Sequence, residues 1–175
     1  MKKLTLALVA LVLLLPVAAM AQANGSLTVN VTVASSISLV IDKAPAGPAL
    51  ANGAGTSSAT LTLNGVSAYG APLAGTTVSL GTSDFTVTAP FAVKVALWNS
   101  ASANYNVAAQ LTSAPPAGWA WAIGTFPISN GSTTTVATNQ GYGTDQVLNL
   151  GITIPQTAAA GPQISNTINL TATAN

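Results

Sequence analysis

Apolar and polar side chains alternate over residues 27–41, near the start of the chain. The odd positions are apolar apart from Ser35, and the even positions are polar or small apart from Val40. The apolar set is Leu27, Val29, Val31, Val33, Ile37, Leu39 and Ile41. A period of two is typical of a strand with one buried and one solvated face. The pattern therefore predicts one long strand around which the rest of the fold is organised.

Shorter runs of the same kind follow, each bounded by turn residues. They predict strands at residues 59–63, 77–80, 85–88, 91–98, 105–111, 119–123, 133–137, 147–154 and 164–173. Ala89 and Pro90 are predicted to separate two of these strands, because proline has no N–H to give to a sheet ladder. Trp119, Trp121 and Ile123 fall on one strand face, and we predict that they pack in the core. The alternative for the two tryptophans is a flat platform for sugar rings.

Many short strands, with Gly, Pro and Asn turns between them, predict an all-β fold. The simplest arrangement is a two-sheet antiparallel β-sandwich, either Ig-like or jelly-roll-like. We find no internal repeat and no long linker over residues 24–175, which predicts a single domain.

Residues 1–23 have the pattern of a cleavable signal peptide. Lys2 and Lys3 precede an apolar run at residues 4–15, and small residues follow it. Cleavage after Ala21 or after Ala23 satisfies the small-x-small rule. The run is shorter than the roughly 20 residues of a membrane span, although an uncleaved N-terminal anchor is the other interpretation. We expect an exported protein that is secreted or held at the cell surface, in the periplasm or outside the cell, with no membrane span after cleavage.

Charge is almost absent from the predicted mature chain. Two lysines, Lys43 and Lys94, stand against the aspartates Asp42, Asp84 and Asp145, and the chain has no Glu, Arg, His or Cys. Soluble domains usually carry roughly 25% charged residues. A basic surface for nucleic acid is therefore missing, and no disulfide stabilises the fold.

The same composition removes most catalytic chemistry. Hydrolysis and group transfer usually need a general base, an activated nucleophile or a bound metal, and those roles fall mainly to His, Cys and carboxylates. The three aspartates lie far apart in sequence and show no Asp-x-Asp-x-Asp calcium spacing. We therefore predict that the protein is not an enzyme, with no catalytic residues, no cofactor and no metal site.

Self-association is the main binding hypothesis. A strand over residues 27–41 would be roughly 50 Å long at about 3.3 Å per residue, whereas most strands have about 3 to 10 residues. Either it bends near residues 34–36, or its first half leaves the domain. In the second case Leu27, Val29, Val31 and Val33 would form a strand-exchange segment that pairs with another subunit.

Exposed aromatic residues give the alternative hypothesis. Trp98 faces away from the apolar side of its strand, and Tyr142 lies between two glycines in a predicted exposed loop. The two side chains would form a ligand platform for polysaccharide. The alternative function is therefore a small carbohydrate- or surface-binding module.

The opening run at residues 27–41 and the closing runs at residues 150–155, 158–161 and 168–173 resemble those of secreted bacterial surface and fimbrial β-sandwich domains. The closing pattern is a strand, a proline, a step of small residues and a last strand. The resemblance implies an Ig-like or pilin-like fold, and a structural subunit of a surface appendage or extracellular matrix. It also implies self-association or contact with other surface proteins. Chaperone-assembled pilins usually carry a disulfide, and this chain has no cysteine.

Overall fold

The computed structural model describes residues 28–31, 36–51, 55–158, 161 and 164–175 of the 175-residue chain. The chain divides into two units, Met1–Thr32 and Val33–Asn175. In the first unit, the described residues 28–31 are exposed and form no strand. Every strand described below belongs to the second unit.

Eleven strands and no helix occur in the described ranges. They are β1 (Ser36–Lys43), β2 (Leu50–Ala51), β3 (Thr60–Leu61), β4 (Thr77–Leu80), β5 (Asp84–Trp98), β6 (Asn104–Leu111), β7 (Ala120–Ile123), β8 (Phe126–Ile128), β9 (Thr134–Gly141), β10 (Asp145–Pro155) and β11 (Ile168–Ala174). All the strand pairs are antiparallel. The predicted all-β class is therefore confirmed.

The strands form two larger sheets and one small one. The largest sheet has the order β1-β5-β10-β7-β8, and β4 also pairs with β5. The second sheet has the order β11-β6-β9, and β2 pairs with β3 alone. β1 lies close to β11, and β8 lies close to β9. The edge strands β1 and β11 of the two larger sheets are therefore neighbours, and so are the opposite edge strands β8 and β9.

The apolar faces of both larger sheets contribute to one buried core. In β10 the alternation holds as predicted, with Leu148, Leu150, Ile152 and Ile154 all buried. β6 of the second sheet contributes Tyr105, Val107, Ala109 and Leu111 to the same cluster. Full burial of one such large side chain is worth about 1.5–3 kcal/mol.

The predicted core position of the tryptophan-containing strand is also confirmed. Trp121 and Ile123 are buried in the core, and Trp119 is half-buried against it. Their common side follows from the two-residue period of the strand.

The predicted break at Ala89 and Pro90 is wrong, because β5 runs through both residues as one 15-residue strand. On one side of β5, β4 pairs with residues 85–88 and β1 with residues 91–98. Pro90 therefore lies where one neighbouring strand has ended and the next has not begun. Proline has no backbone N–H, but no described strand lies on that side of Pro90 to accept a hydrogen bond, so the sheet loses nothing there.

Glycines fill the gap beside Pro90. Gly47 and Pro48, which follow β1, are buried there. A Cβ on Gly47 would collide with the carbonyl oxygen of Pro90. Gly75 precedes β4 and has a φ of +79°, and a Cβ on it would lie 2.5 Å from the backbone carbon of Gly47 and the nitrogen of Pro48. Only residues without a Cβ allow three backbone segments to approach this closely.

The single strand predicted over residues 27–41 is wrong in its first half. The described residues 28–31 lie outside any strand, and β1 begins only at Ser36. Alternation continues in β1, where Leu39 and Ile41 pack against the core. Residues 27 and 32–35 lie outside the described residues.

Candidate functional site

A groove of about 460 Å³ runs between the neighbouring edges of the two larger sheets. β1 provides Leu39 and Ile41, residues 57–59 form one wall, and residues 167–171 at the start of β11 form the other. The volume falls within the roughly 300–1,000 Å³ of typical ligand-binding clefts.

Open strand edges explain why the groove exists. In the described part of the chain, β11 pairs only with β6 and β1 pairs only with β5, so each has one edge without a strand partner. On the outer edge of β1, the N–H of Ile41 donates to the carbonyl oxygen of Thr56 at 2.7 Å. Backbone groups point to the same edge at every second residue, so those of Leu39 point outwards as well.

The groove is uncharged and has an apolar side and a polar side. Leu39, Ile41, Ile168 and Leu170 are half-buried against the core. The remaining lining residues are the small or polar Ser57, Ser58, Ala59, Thr167, Asn169 and Thr171. An extended segment that alternates apolar and polar residues matches this surface, because its apolar face would cover Leu39 and Ile41 while its polar face stays in solvent.

Two residues of the predicted strand-exchange segment are described. Val29 is 69% exposed and Val31 is 77% exposed. Leu27 and Val33 lie outside the described residues. The described half of the segment therefore presents apolar side chains to solvent.

The two predicted platform aromatics differ in exposure. Trp98 is 71% exposed at the end of β5, as predicted. Tyr142 is only half-buried rather than exposed, and its ring packs on Tyr105 with 5.2 Å between centroids. Its hydroxyl donates to the carbonyl oxygen of Asn104 at 2.8 Å. The expectation of an exposed Tyr142 is therefore wrong, because glycine neighbours do not reveal a ring contact from another strand.

Tyr105 is fully buried, and its hydroxyl has no hydrogen-bond partner among the described residues. Burial, and to a lesser extent the charge of a nearby Tyr142 phenolate, raises the pKa of Tyr105 above its ordinary value of 10.0. The folded state therefore holds this proton more tightly than the unfolded state. The stability it contributes is present in full below about pH 10 and is lost as the pH rises through the folded-state pKa.

We expect Tyr105→Phe to reduce the loss of stability above pH 10. At neutral pH the substitution should change the free energy of unfolding by less than about 1 kcal/mol, because the lost hydroxyl has no partner. Urea unfolding at pH 8 and pH 11 measures both effects. Tyr69→Phe, at an exposed tyrosine, is the matched control and should keep the alkaline loss of the wild type. Identical pH dependence in all three proteins would contradict this account.

The charged residues do not converge on a site. Lys94 and Asp145 form an ion pair at 3.7 Å with both side chains about half exposed. Among the described residues, no three His, Cys, Asp or Glu side chains lie close enough together to hold a metal ion.

The same part of the chain contains no helix of the length and apolarity needed to cross a membrane.

The sequence pattern placed Leu39 and Ile41 on a strand but not in a groove, since a groove depends on which strands become neighbours.

Comparison of the chain with protein-family models, with curated proteins and with solved structures gave no match.

Proposed function

We propose that this protein is an exported structural subunit that assembles by strand addition. The apolar alternation at residues 27–33 of one copy would enter the β1–β11 groove of the next copy and pair with the open edge of β11. The assembly would be a surface appendage or an extracellular matrix. The observation that carries the proposal is an exposed alternating segment in the same chain as an open, uncharged groove.

Dimensions support this occupant. The β11 side of the groove offers residues 167–171, about 16 Å of extended chain, and residues 27–33 span about 23 Å. Leu27, Val29, Val31 and Val33 would cover the Leu39 and Ile41 side. The intervening polar side chains would face solvent.

The proposed finer architecture is a two-sheet β-sandwich. One apolar cluster between the two larger sheets supports it, as does the close approach of β1 to β11 and of β8 to β9. A hydrogen bond from the Thr134 hydroxyl to the Pro127 carbonyl also joins β9 to β8 at 3.1 Å. Such a sandwich would have a closed side at β8 and β9 and an incomplete side at β1 and β11.

The surface composition supports a role in contact rather than in catalysis. Monomeric sheet proteins protect their edges with lysine, inward charges or bulges. Of the two lysines outside residues 1–23, Lys94 lies on the inner strand β5 and is paired with Asp145, and Lys43 ends β1, so the edge strand β11 carries no lysine. The proposed export follows from the signal-like pattern of residues 1–23. Carbohydrate binding through Trp98 and Tyr142 has less support, since Tyr142 is half-buried and its ring already contacts that of Tyr105.

Truncation tests the assembly itself. The protein beginning at residue 24 should form large particles in size-exclusion chromatography with light scattering, and filaments or networks by negative-stain microscopy. Deletion of residues 24–33 should leave a folded monomer, because the described part of that segment is exposed. A wild type that stays monomeric at high concentration, or a truncated form that still assembles, would contradict the proposed function.

Cysteine cross-linking tests the acceptor edge, and the chain has no native cysteine to interfere. We expect Asn30→Cys protein, mixed with Asn169→Cys or Thr171→Cys protein, to form disulfide-linked heterodimers. Directly opposite residues of antiparallel strands have Cα atoms about 4.5–5.5 Å apart, inside the range of roughly 4.4–6.8 Å that disulfides span. Thr135→Cys on β9 is the control at the opposite edge. Cross-linking only through Thr135→Cys would leave assembly intact but assign it to a different edge.

A further inference from the structure

A second cleft, of about 230 Å³, lies at the opposite edges of the two larger sheets. It is open to solvent and is lined by the β7–β8 turn, the middle and end of β9, and the start of β10. Its buried floor consists of Ile123, Val136 and Leu148. Phe126, at the start of β8, lines the cleft and is 47% exposed. An aromatic side chain is thus presented beside an apolar floor.

Three amide side chains also line the cleft, and each keeps a donor or an acceptor that no other described residue uses. Gln140 donates from Nε2 to the Thr138 carbonyl at 2.6 Å, and its Oε1 has no partner among the described residues. Gln146 makes only a 3.5 Å contact from Nε2 to the Val147 carbonyl, at the weak limit of a hydrogen bond. The side chain of Asn149 makes no hydrogen bond within the described ranges.

The backbone holds Asn149 in place at this cleft. Its carbonyl oxygen accepts a hydrogen bond from the N–H of Gly124 at 2.8 Å, which ties β10 to the β7–β8 turn. An amide side chain can donate and accept at once. Because no charged side chain lines the cleft, the site offers nothing to favour an anion or a cation.

We propose that this cleft binds one ring of a neutral saccharide. A sugar ring has an apolar C–H face, which would lie on Phe126, and a rim of hydroxyl groups. Each hydroxyl both donates and accepts, as do the amides of Gln140, Gln146 and Asn149. This site shares no residue with the groove at β1 and β11, so the proposal goes beyond strand assembly and stands independently of it.

The size of the cleft sets the size of the ligand unit. Pockets that enclose a drug-sized ligand usually have about 300–1,000 Å³. A cleft of about 230 Å³ accommodates a single ring and leaves the rest of a polysaccharide in solvent. The site would therefore recognise one residue along or at the end of a longer chain.

Saturation-transfer NMR on the full chain tests the proposal, because it detects the ligand even when the protein is polymeric. The probes are cellohexaose, mannohexaose and chitohexaose. We expect saturation of ring protons for at least one of them. Phe126→Ala should weaken that binding about tenfold, consistent with loss of an aromatic contact. Asn149→Ala should weaken it as well.

Two further variants keep the test decisive. Phe126→Leu retains an apolar side chain, guards against a folding defect, and should also weaken binding. Trp98→Ala removes an exposed aromatic side chain at a different place on the surface and should leave binding unchanged. No saturation with any of the three probes overturns the proposal. So does binding that survives Phe126→Ala and Phe126→Leu, or binding that is lost in Trp98→Ala.

Discussion

Gly75→Ala is expected to lower the free energy of unfolding by about 3 kcal/mol, a large share of the 5–15 kcal/mol typical of a domain. The new Cβ would lie 2.5 Å from backbone atoms of Gly47 and Pro48. These atoms cannot rotate away as a flexible side chain would, so the segments after β1 and before β4 must move apart. Urea unfolding followed by circular dichroism measures the loss.

Gly143→Ala is the matched control for this substitution. Gly143 has a φ of +78°, within one degree of Gly75, and a Cβ on it would meet nothing within 4 Å. The alanine should therefore cost only about 1 kcal/mol, the cost of a left-handed backbone conformation. Equal losses in the two variants would show that backbone conformation alone, and not the close approach beside Pro90, accounts for the effect.

Aspartate at both Val29 and Val31 is expected to abolish assembly. In the proposed contact these side chains cover Leu39 and Ile41, and burial of an unpaired carboxylate at such a place is strongly unfavourable. The fold of each monomer should be unaffected, because both valines are exposed. Light scattering measures the particle size, and thermal unfolding measures the stability of the monomer.

The alternation supplies a control of equal charge. Aspartate at both Thr28 and Asn30 adds the same two negative charges to the face that would remain in solvent, and should leave assembly largely intact at physiological salt. Loss of assembly in both double variants would point to general charge repulsion rather than to a register with one buried face.

Alternation predicted much of the fold where one strand face is buried and the other solvated. β10 is the clearest case, because the buried Leu148, Leu150 and Ile152 alternate with Asn149 and Gly151, which are not buried. The pattern did not predict β8 (Phe126–Ile128), which is three residues long and contains a proline. Too few positions are present there for a period to emerge.

The errors share one physical origin, which is that the outcome depends on a distant neighbour. Pro90 breaks no strand because β4 has ended and β1 has not begun beside it. Tyr142 is partly covered because β6 places Tyr105 against its ring. Neither arrangement can be predicted from the residues next to Pro90 or Tyr142 in the sequence.

Part of the candidate site could be predicted from the sequence and part could not. Val29 and Val31 could be identified from their own alternation and their position before β1. The groove lined by Leu39, Ile41 and Leu170 could not be predicted, because it forms only when β1 and β11, at opposite ends of the sequence, become neighbouring edges. Phe126 and Asn149 were missed because their cleft likewise forms only when β8 and β9 meet.

The two clefts lie at opposite edges of the sheets, and this separation determines how a polymer would meet its surroundings. Subunits joined through β1 and β11 would each leave the Phe126 cleft uncovered, so the fibre would repeat that cleft once per copy. Multivalent attachment multiplies weak individual contacts into high avidity when several engage at once. A millimolar saccharide contact at each subunit would then suffice to fix a long fibre to a glycan-covered surface.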